Sequence, residues 1–338
     1  MYARGRWYDW RDSHMIKIEF HFSIRIYHLD GKERQKKVER KRVGVSLVNL
    51  VNEAIDKLSA SRMRSTVSNY RAALTSFTRL MGNGLTVDDL NQQTIESWQH
   101  RLKEHGVKLN TISCYMRSLR SVINHCEVPP MAKSAFDTVF KGSAKTDKRS
   151  ISSRDIQKLS ALELKEGSRQ QFARDIFLFS FFALGMPFVD VAFLRKNQIA
   201  NGYIEYLRHK TNQAIRVKVE PQMQRIINKY SKPDSPYVFP ILIKGTMVEY
   251  ETVRDIYNRQ LRRLSKMAGL SRKLTSYVAR HSWASMAYSR NVDLSVISKA
   301  LGHTNSKTTM VYIREIDDSR IDKANHQLLG SIMKAVET

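Results

Sequence analysis

The stretch LGHTNSKTTMVYIRE, residues 301–315, sets His303 nine positions before Tyr312. Upstream, Arg280 sits in TSYVARHSWASMA and Lys210 in YLRHKTNQAIRVKV. An imidazole, a phenol, a guanidinium and an ammonium are parts that could break a phosphodiester. That reaction needs a nucleophile, donors for the charge on the non-bridging oxygens, and an acid for the departing alkoxide. A tyrosine in a helical segment is equally at home in a core, so residue type alone leaves both roles open for Tyr312. The sequence carries no GxxxxGK[ST] loop, no Asp/Glu cluster and no zinc-type His/Cys spacing. Metal-assisted hydrolysis is therefore not expected, and no cofactor is implied.

The charge balance points to a polyanion as partner. The 338 residues hold 57 Lys plus Arg against 32 Asp plus Glu, a formal charge of +25. So large an excess repels itself in a compact chain unless nucleic acid neutralises it. A membrane surface is the lesser candidate, because no basic amphipathic anchor is visible. Cys114 and Cys126 have no paired-ligand spacing and read as free thiols of a reducing compartment. The N-terminus lacks an apolar signal core. The longest uncharged apolar run, Ile176 to Val189, falls short of the roughly 18 residues that span a bilayer and reads as one buried core helix. A cytoplasmic location is expected.

The elements that must position these residues follow from periodicity. Residues 1–45 form a basic, β-rich extension, in which Ile16, Ile18, Phe20, Phe22, Ile24 and Ile26 alternate with polar residues as a half-buried strand does. Residues 46–140 turn helical. Ser46 can cap the first helix. Val67, Tyr70, Leu74, Phe77 and Met81 form one apolar stripe, and Ile112, Tyr115, Leu119, Val122 and Cys126 another. Arg117 and Arg120 lie off the second stripe, where they are solvated or meet DNA. Residues 141–150, KGSAKTDKRS, lack periodicity and read as a flexible linker. Residues 151–338 form a second domain, opening on a serine-capped helix and containing a hairpin whose strands flank RHKTNQ.

The order of these motifs resembles the tyrosine recombinases, or phage integrase family. Leu-Gly-His with a tyrosine nine positions later, ARHSWASMA as an arginine-histidine box, and the hairpin lysine in KTNQAIRVKV carry the likeness over most of the chain. The resemblance implies a mainly α fold. A helical, SAM-like core DNA-binding domain would precede a mostly helical α/β catalytic domain with a small antiparallel sheet. It implies that Tyr312 attacks the scissile phosphate, giving a 3′-phosphotyrosyl enzyme and a free 5′-hydroxyl, so that rejoining needs neither ATP nor metal. Arg280 would hold phosphate oxygens, His303 would hydrogen-bond them, and Lys210 would protonate the leaving 5′ oxygen. Arg117, Arg120, Lys145, Lys148 and Arg208 are the further residues expected at double-stranded DNA. A homotetramer on synapsed sites is implied. The tail stripe Ile321, Ala324, Leu328, Ile332 and Met333 would dock on a neighbour or pack within its own chain.

Two departures qualify the likeness. Aligned on the family's first-arginine motif, GMPFVDVAFL puts Gly185, Asp190 and Leu194 in register and Pro187 in the arginine's place. Proline offers no charge and no donor. By analogy with a lost oxyanion donor, that absence would cost about 3 kcal/mol of transition-state stabilisation unless Arg195 or Arg208 reaches the phosphate. Tyr277 stands three before Arg280, where the family has histidine. A phenol can hydrogen-bond phosphate but is a poor base, and His281 points about 100° away on a helix. These departures resemble a divergent bacterial branch of mobile elements and invertases. The rival functions are a DNA-binding regulator that keeps the fold without cutting, and a topoisomerase of related mechanism.

Overall fold

The computed structural model describes residues 44–145, 149–303 and 306–310, with 325, 326 and 329 near the end. The expected strand at residues 16–26, Lys148, Tyr312 and the tail stripe lie outside the described residues. The chain divides into two units between Ala144 and Lys145. The architecture is the mainly α one expected, with a small antiparallel sheet.

In the first unit α1 (Leu47–Ser59), α2 (Arg64–Met81), α3 (Gln92–Glu104), α4 (Leu109–Ile123) and the short α5 (Pro130–Ser134) enclose one core. Ser46 caps α1 as its type suggests, accepting the Asn49 N–H at 3.4 Å. The two apolar stripes face inward, with Val67, Tyr70, Leu74 and Phe77 of α2 meeting Ile112, Leu119 and Val122 of α4. Trp98 of α3 fills the centre, edge-on to Phe77 at 5.2 Å and stacked on Tyr115 at 6.3 Å. Cutting so buried an indole back to alanine costs about 3–5 kcal/mol.

Described residues on either side of 146–148 are hydrogen-bonded within their own units. Ser113 donates to the Gly142 carbonyl at 2.6 Å, and Asn110 exchanges two bonds with the backbone of Ala144, at 2.9 and 2.7 Å. On the far side, the Ile151 N–H donates to Ser282 at 3.0 Å.

The second unit comprises α6 (Ser153–Ser160), α7 (Arg169–Phe182), α8 (Phe188–Ala192), strands β1 (Ile199–Ala200), β2 (Tyr203–Leu207) and β3 (Ala214–Lys218), then α9 (Pro221–Tyr230), α10 (Met247–Met267), α11 (Val278–Ser289), α12 (Leu294–Ala300) and α13 (Ser306–Met310). The strands form an antiparallel sheet in the order β1-β2-β3, with Tyr206 opposite Ile215. Ile204, Tyr206, Ile215 and Val217 turn to the core, as the alternation requires. α7 runs through that core, its Phe179 edge-on to Phe239 at 4.7 Å.

The apolar run read as one core helix is two. α7 stops at Phe182, Leu184 and Gly185 turn with φ of 58° and 71°, and α8 begins after Pro187. Length and hydrophobicity suit a single helix, but the Gly-Met-Pro sequence favours a turn, and proline starts a new helix readily. The break aims the Gly185 carbonyl at the residues described next.

Candidate active site

The Leu-Gly-His sequence is a helix cap. α12 stops at Ala300 and Gly302, just past its cap, turns at φ 62°; the Gly302 N–H donates to the Lys299 carbonyl at 2.9 Å and the His303 N–H to that of Ser298 at 3.0 Å. Those two bonds make a Schellman motif, in which glycine takes the left-handed position at low cost. Space adds a second demand, since a β-carbon at Gly302 would lie 2.8 Å from Ile215 and 3.1 Å from Arg208.

The cap leaves consecutive carbonyls at the negative end of α12, and two guanidinium groups take them. Arg280 of α11, only 2% exposed, donates to the Leu301 carbonyl and, from its other terminal nitrogen, to Gly185 at 3.1 Å. Arg208, 5% exposed at the end of β2, donates to the Gly302 carbonyl at 3.0 Å, and Thr211 reaches the same oxygen at 3.4 Å. Arg208 Nε is buried and finds no hydrogen-bond partner among the described residues. An orphaned donor of this kind costs about 1–3 kcal/mol.

His303 completes the group. Its Nε2 lies 3.1 Å from a terminal nitrogen of Arg280, and its Nδ1 lies 2.8 Å from the hydroxyl of Thr309. Burial, reinforced by the charges of Arg280, Arg208 and Lys210, pushes its pKa down to about 4. The imidazole is therefore neutral at physiological pH. Lys210 is exposed in the hairpin turn, flanked by Arg208 and Thr211, both tied to Gly302. The turn itself is closed by the Arg208 N–H to Gln213 at 2.8 Å, with Asn212 at φ 53°.

Asp190 braces the hairpin from below. This buried carboxylate, the first acidic residue after the apolar run, accepts the His209 N–H at 2.9 Å. Burial raises its pKa, against the His209 hydrogen bond and the charges of Arg208, His209 and Arg280. The sequence marked Asp190 only as a register position. Its signal was a lone carboxylate in an otherwise uncharged stretch. Thr309, fully buried, was also missed.

The structure thus brings Arg280, His303 and Arg208 together and holds Lys210 beside them. Arg195 goes elsewhere, its guanidinium 5.6 Å from the centre of the Tyr237 ring. Tyr277 stands at the N-cap of α11, 37% exposed, with its ring 5.2 Å from that of His281. Arg117 is exposed on α4, Arg120 pairs with Asp137 at 3.1 Å, and Lys145 is exposed at the start of the second unit. Among the described residues, no group of three or more His, Cys, Asp or Glu could hold a metal ion, and no helix is long and apolar enough to cross a membrane.

Comparison with known proteins decides what this geometry belongs to. The profile described as "Phage integrase family" matches residues 149–318, half of the chain, and "Phage integrase SAM-like domain" matches residues 46–127. The chain belongs to the phage integrase family. It is 24% identical to the tyrosine recombinase XerD of Rhizobium meliloti (strain 1021) over 306 residues, which cover 84% of this chain and 96% of that protein. A tyrosine recombinase of Pseudothermotoga lettingae is 23% identical over 261 residues, covering 74% of this chain and 86% of its own. The fold is also that of solved integrases. A lambda integrase (75-356) dimer bound to a COC' core site gives a TM-score of 0.62 at 14% identity, covering 79% of this chain and 95% of that one. The Tn1549 transposon integrase in complex with transposon right end DNA gives 0.64 at 13%, covering 84% and 100%. Membership makes the chain a tyrosine site-specific recombinase, and nothing favours the regulator or the topoisomerase.

Proposed function

We propose that the chain recombines double-stranded DNA, with Tyr312 as nucleophile and the cations around the 301–303 turn as the phosphate site. The observation that carries this is the convergence of Arg280, Arg208 and His303 on one helix cap, nine positions before the tyrosine in sequence. Arg280 clamps the non-bridging oxygens with a fork that stays charged. Arg208 supplies the second cation in place of Pro187, because it is tethered to the neighbouring carbonyl while Arg195 is turned to Tyr237. Lys210 protonates the departing 5′ oxygen. Tyr277 contacts the phosphate through its hydroxyl.

Arg117, Arg120, Lys145 and Lys148 join Arg208 in holding the DNA backbone, so that affinity falls steeply with salt. Chemistry at two synapsed sites calls for four protomers. Structures of related fold include a lambda integrase tetramer bound to a Holliday junction, and a homotetramer is the state in which this chain would act. Integration, excision and inversion all use this one strand-exchange chemistry.

The test is covalent capture. The full chain is incubated with nicked duplexes tiled across the DNA that flanks its own gene, and SDS-resistant adducts are scored. An adduct that Tyr312→Phe abolishes supports the assignment. An adduct that survives the substitution moves the nucleophile elsewhere.

A further inference from the structure

The hydrogen bonds of His303 determine where its proton is. A guanidinium can only donate, so the Nε2 that lies 3.1 Å from Arg280 presents a lone pair. The proton of the neutral ring is then on Nδ1, which lies 2.8 Å from Thr309 Oγ1. A protonated ring would aim an N–H at a cation and is disfavoured. Among the described residues, the charged groups that act on the ring are Arg280 from α11 and Arg208 and Lys210 from the hairpin, and all oppose its protonation. Thr309 is 0% exposed. It belongs to α13, and Tyr312 follows that helix by two residues in sequence.

A buried threonine in a helix of small polar residues usually needs no function. Here its oxygen is the acceptor that selects one of two tautomers, and an outer partner of this kind fixes both the orientation and the basicity of an imidazole. We propose that Thr309 is a positioning residue for strand cleavage, holding the Nδ1 proton of His303 so that Nε2 faces the phosphate-binding guanidinium of Arg280. The inference rests on the recombinase function proposed above.

Its consequence is a step gated by the substrate. A phosphodiester arriving at Arg280 draws the guanidinium onto its oxygens and sets a negative charge against the three cations. His303 then takes one proton from solvent at Nε2 and donates it in a hydrogen bond to the phosphate, while Nδ1–H stays on Thr309. The same hydroxyl ties that donor to α13, the helix that precedes Tyr312 in the sequence.

The experiment compares Thr309→Val, which keeps the shape and loses the acceptor, with Thr309→Ser, which keeps the acceptor. Two-bond proton–nitrogen spectra of the full chain with 15N-labelled histidine, assigned by loss of one ring in His303→Gln, report the tautomer without requiring activity. The parent and Thr309→Ser are expected to show the proton on Nδ1, and Thr309→Val to lose that preference. Single-turnover adduct formation on the nicked duplexes is expected to slow roughly 10- to 100-fold in Thr309→Val, staying within about threefold of the parent in Thr309→Ser.

A proton on Nε2 in the parent would overturn the proposal. So would a Thr309→Val that reacts at the parental rate, or a Thr309→Ser as slow as Thr309→Val. A parent that forms no adduct counts against the recombinase function instead, and the spectra then decide the tautomer separately.

Discussion

A β-carbon at Gly185 would rest 2.7 Å from the α-carbon of Arg280, and the Gly185 carbonyl accepts that arginine's guanidinium at 3.1 Å. The turn between α7 and α8 therefore seats the Arg280 guanidinium. Gly185→Ala meets a φ of 71° and a backbone clash together. The expected loss is about 2–4 kcal/mol, from left-handed strain and overpacking combined. Urea unfolding should show it as a lower midpoint. Adduct formation by the fraction still folded should fall as well, because Arg280 is displaced; a variant destabilised but fully active would separate the turn from the clamp.

Arg208 is the cation proposed in place of the missing first arginine. Removing a donor to the developing phosphate charge slows cleavage about 100- to 1000-fold, and Arg208→Ala is expected in that range, with Arg208→Lys intermediate. Because Arg208 also holds the Gly302 carbonyl, a slow variant by itself does not show a role at the phosphate. A duplex with a neutral methylphosphonate at the scissile position makes the distinction. The parent's advantage over Arg208→Ala should shrink on that substrate if charge is what the arginine supplies, and persist if its role is to hold the turn.

His303 gives stability a definite pH dependence. Its pKa is about 4 in the folded chain against an ordinary 6.5. Between those values the unfolded chain binds the proton that the folded chain refuses, so stability falls as pH falls. The contribution is complete above about 6.5, fades on descending to about 4, and is constant below. The stability difference between the parent and His303→Gln should therefore be flat above neutrality and drop across that window. Urea unfolding at a series of pH values measures it, and a difference that stays level through acid would mean that the ring titrates normally.

Local patterns were legible because they are paid out along one segment. Alternation gave the strands flanking RHKTNQ, and the stripes on α2 and α4 are the faces that meet in the first core. Pro187 announced a missing charge, but Arg195 and Arg208 looked alike as replacements. What separates them is a ring at Tyr237 for one and a carbonyl 94 residues away for the other. Asp190 and Thr309 escaped notice for the same reason, since each acts through a partner on another element. The break at Gly185 was hidden by hydrophobicity, which does not distinguish a buried helix from a buried turn.

Lys210 is exposed in the hairpin turn, between two residues anchored on Gly302. Its proposed task is to give a proton to the departing 5′ oxygen, and general acids of this kind contribute about 100- to 10,000-fold. Lys210→Ala should lose activity on that scale with an ordinary duplex. The loss should depend on the leaving group, because an alkoxide needs the proton and a thiolate does not. Replacing the bridging 5′ oxygen with sulfur should therefore restore Lys210→Ala to within about tenfold of the parent. Arg280→Ala should gain nothing from the same change, since its defect lies in the non-bridging oxygens. Adduct yields for the two variants on the two duplexes make the comparison. If sulfur leaves Lys210→Ala as slow as before, the lysine acts as a backbone anchor and another group supplies the proton.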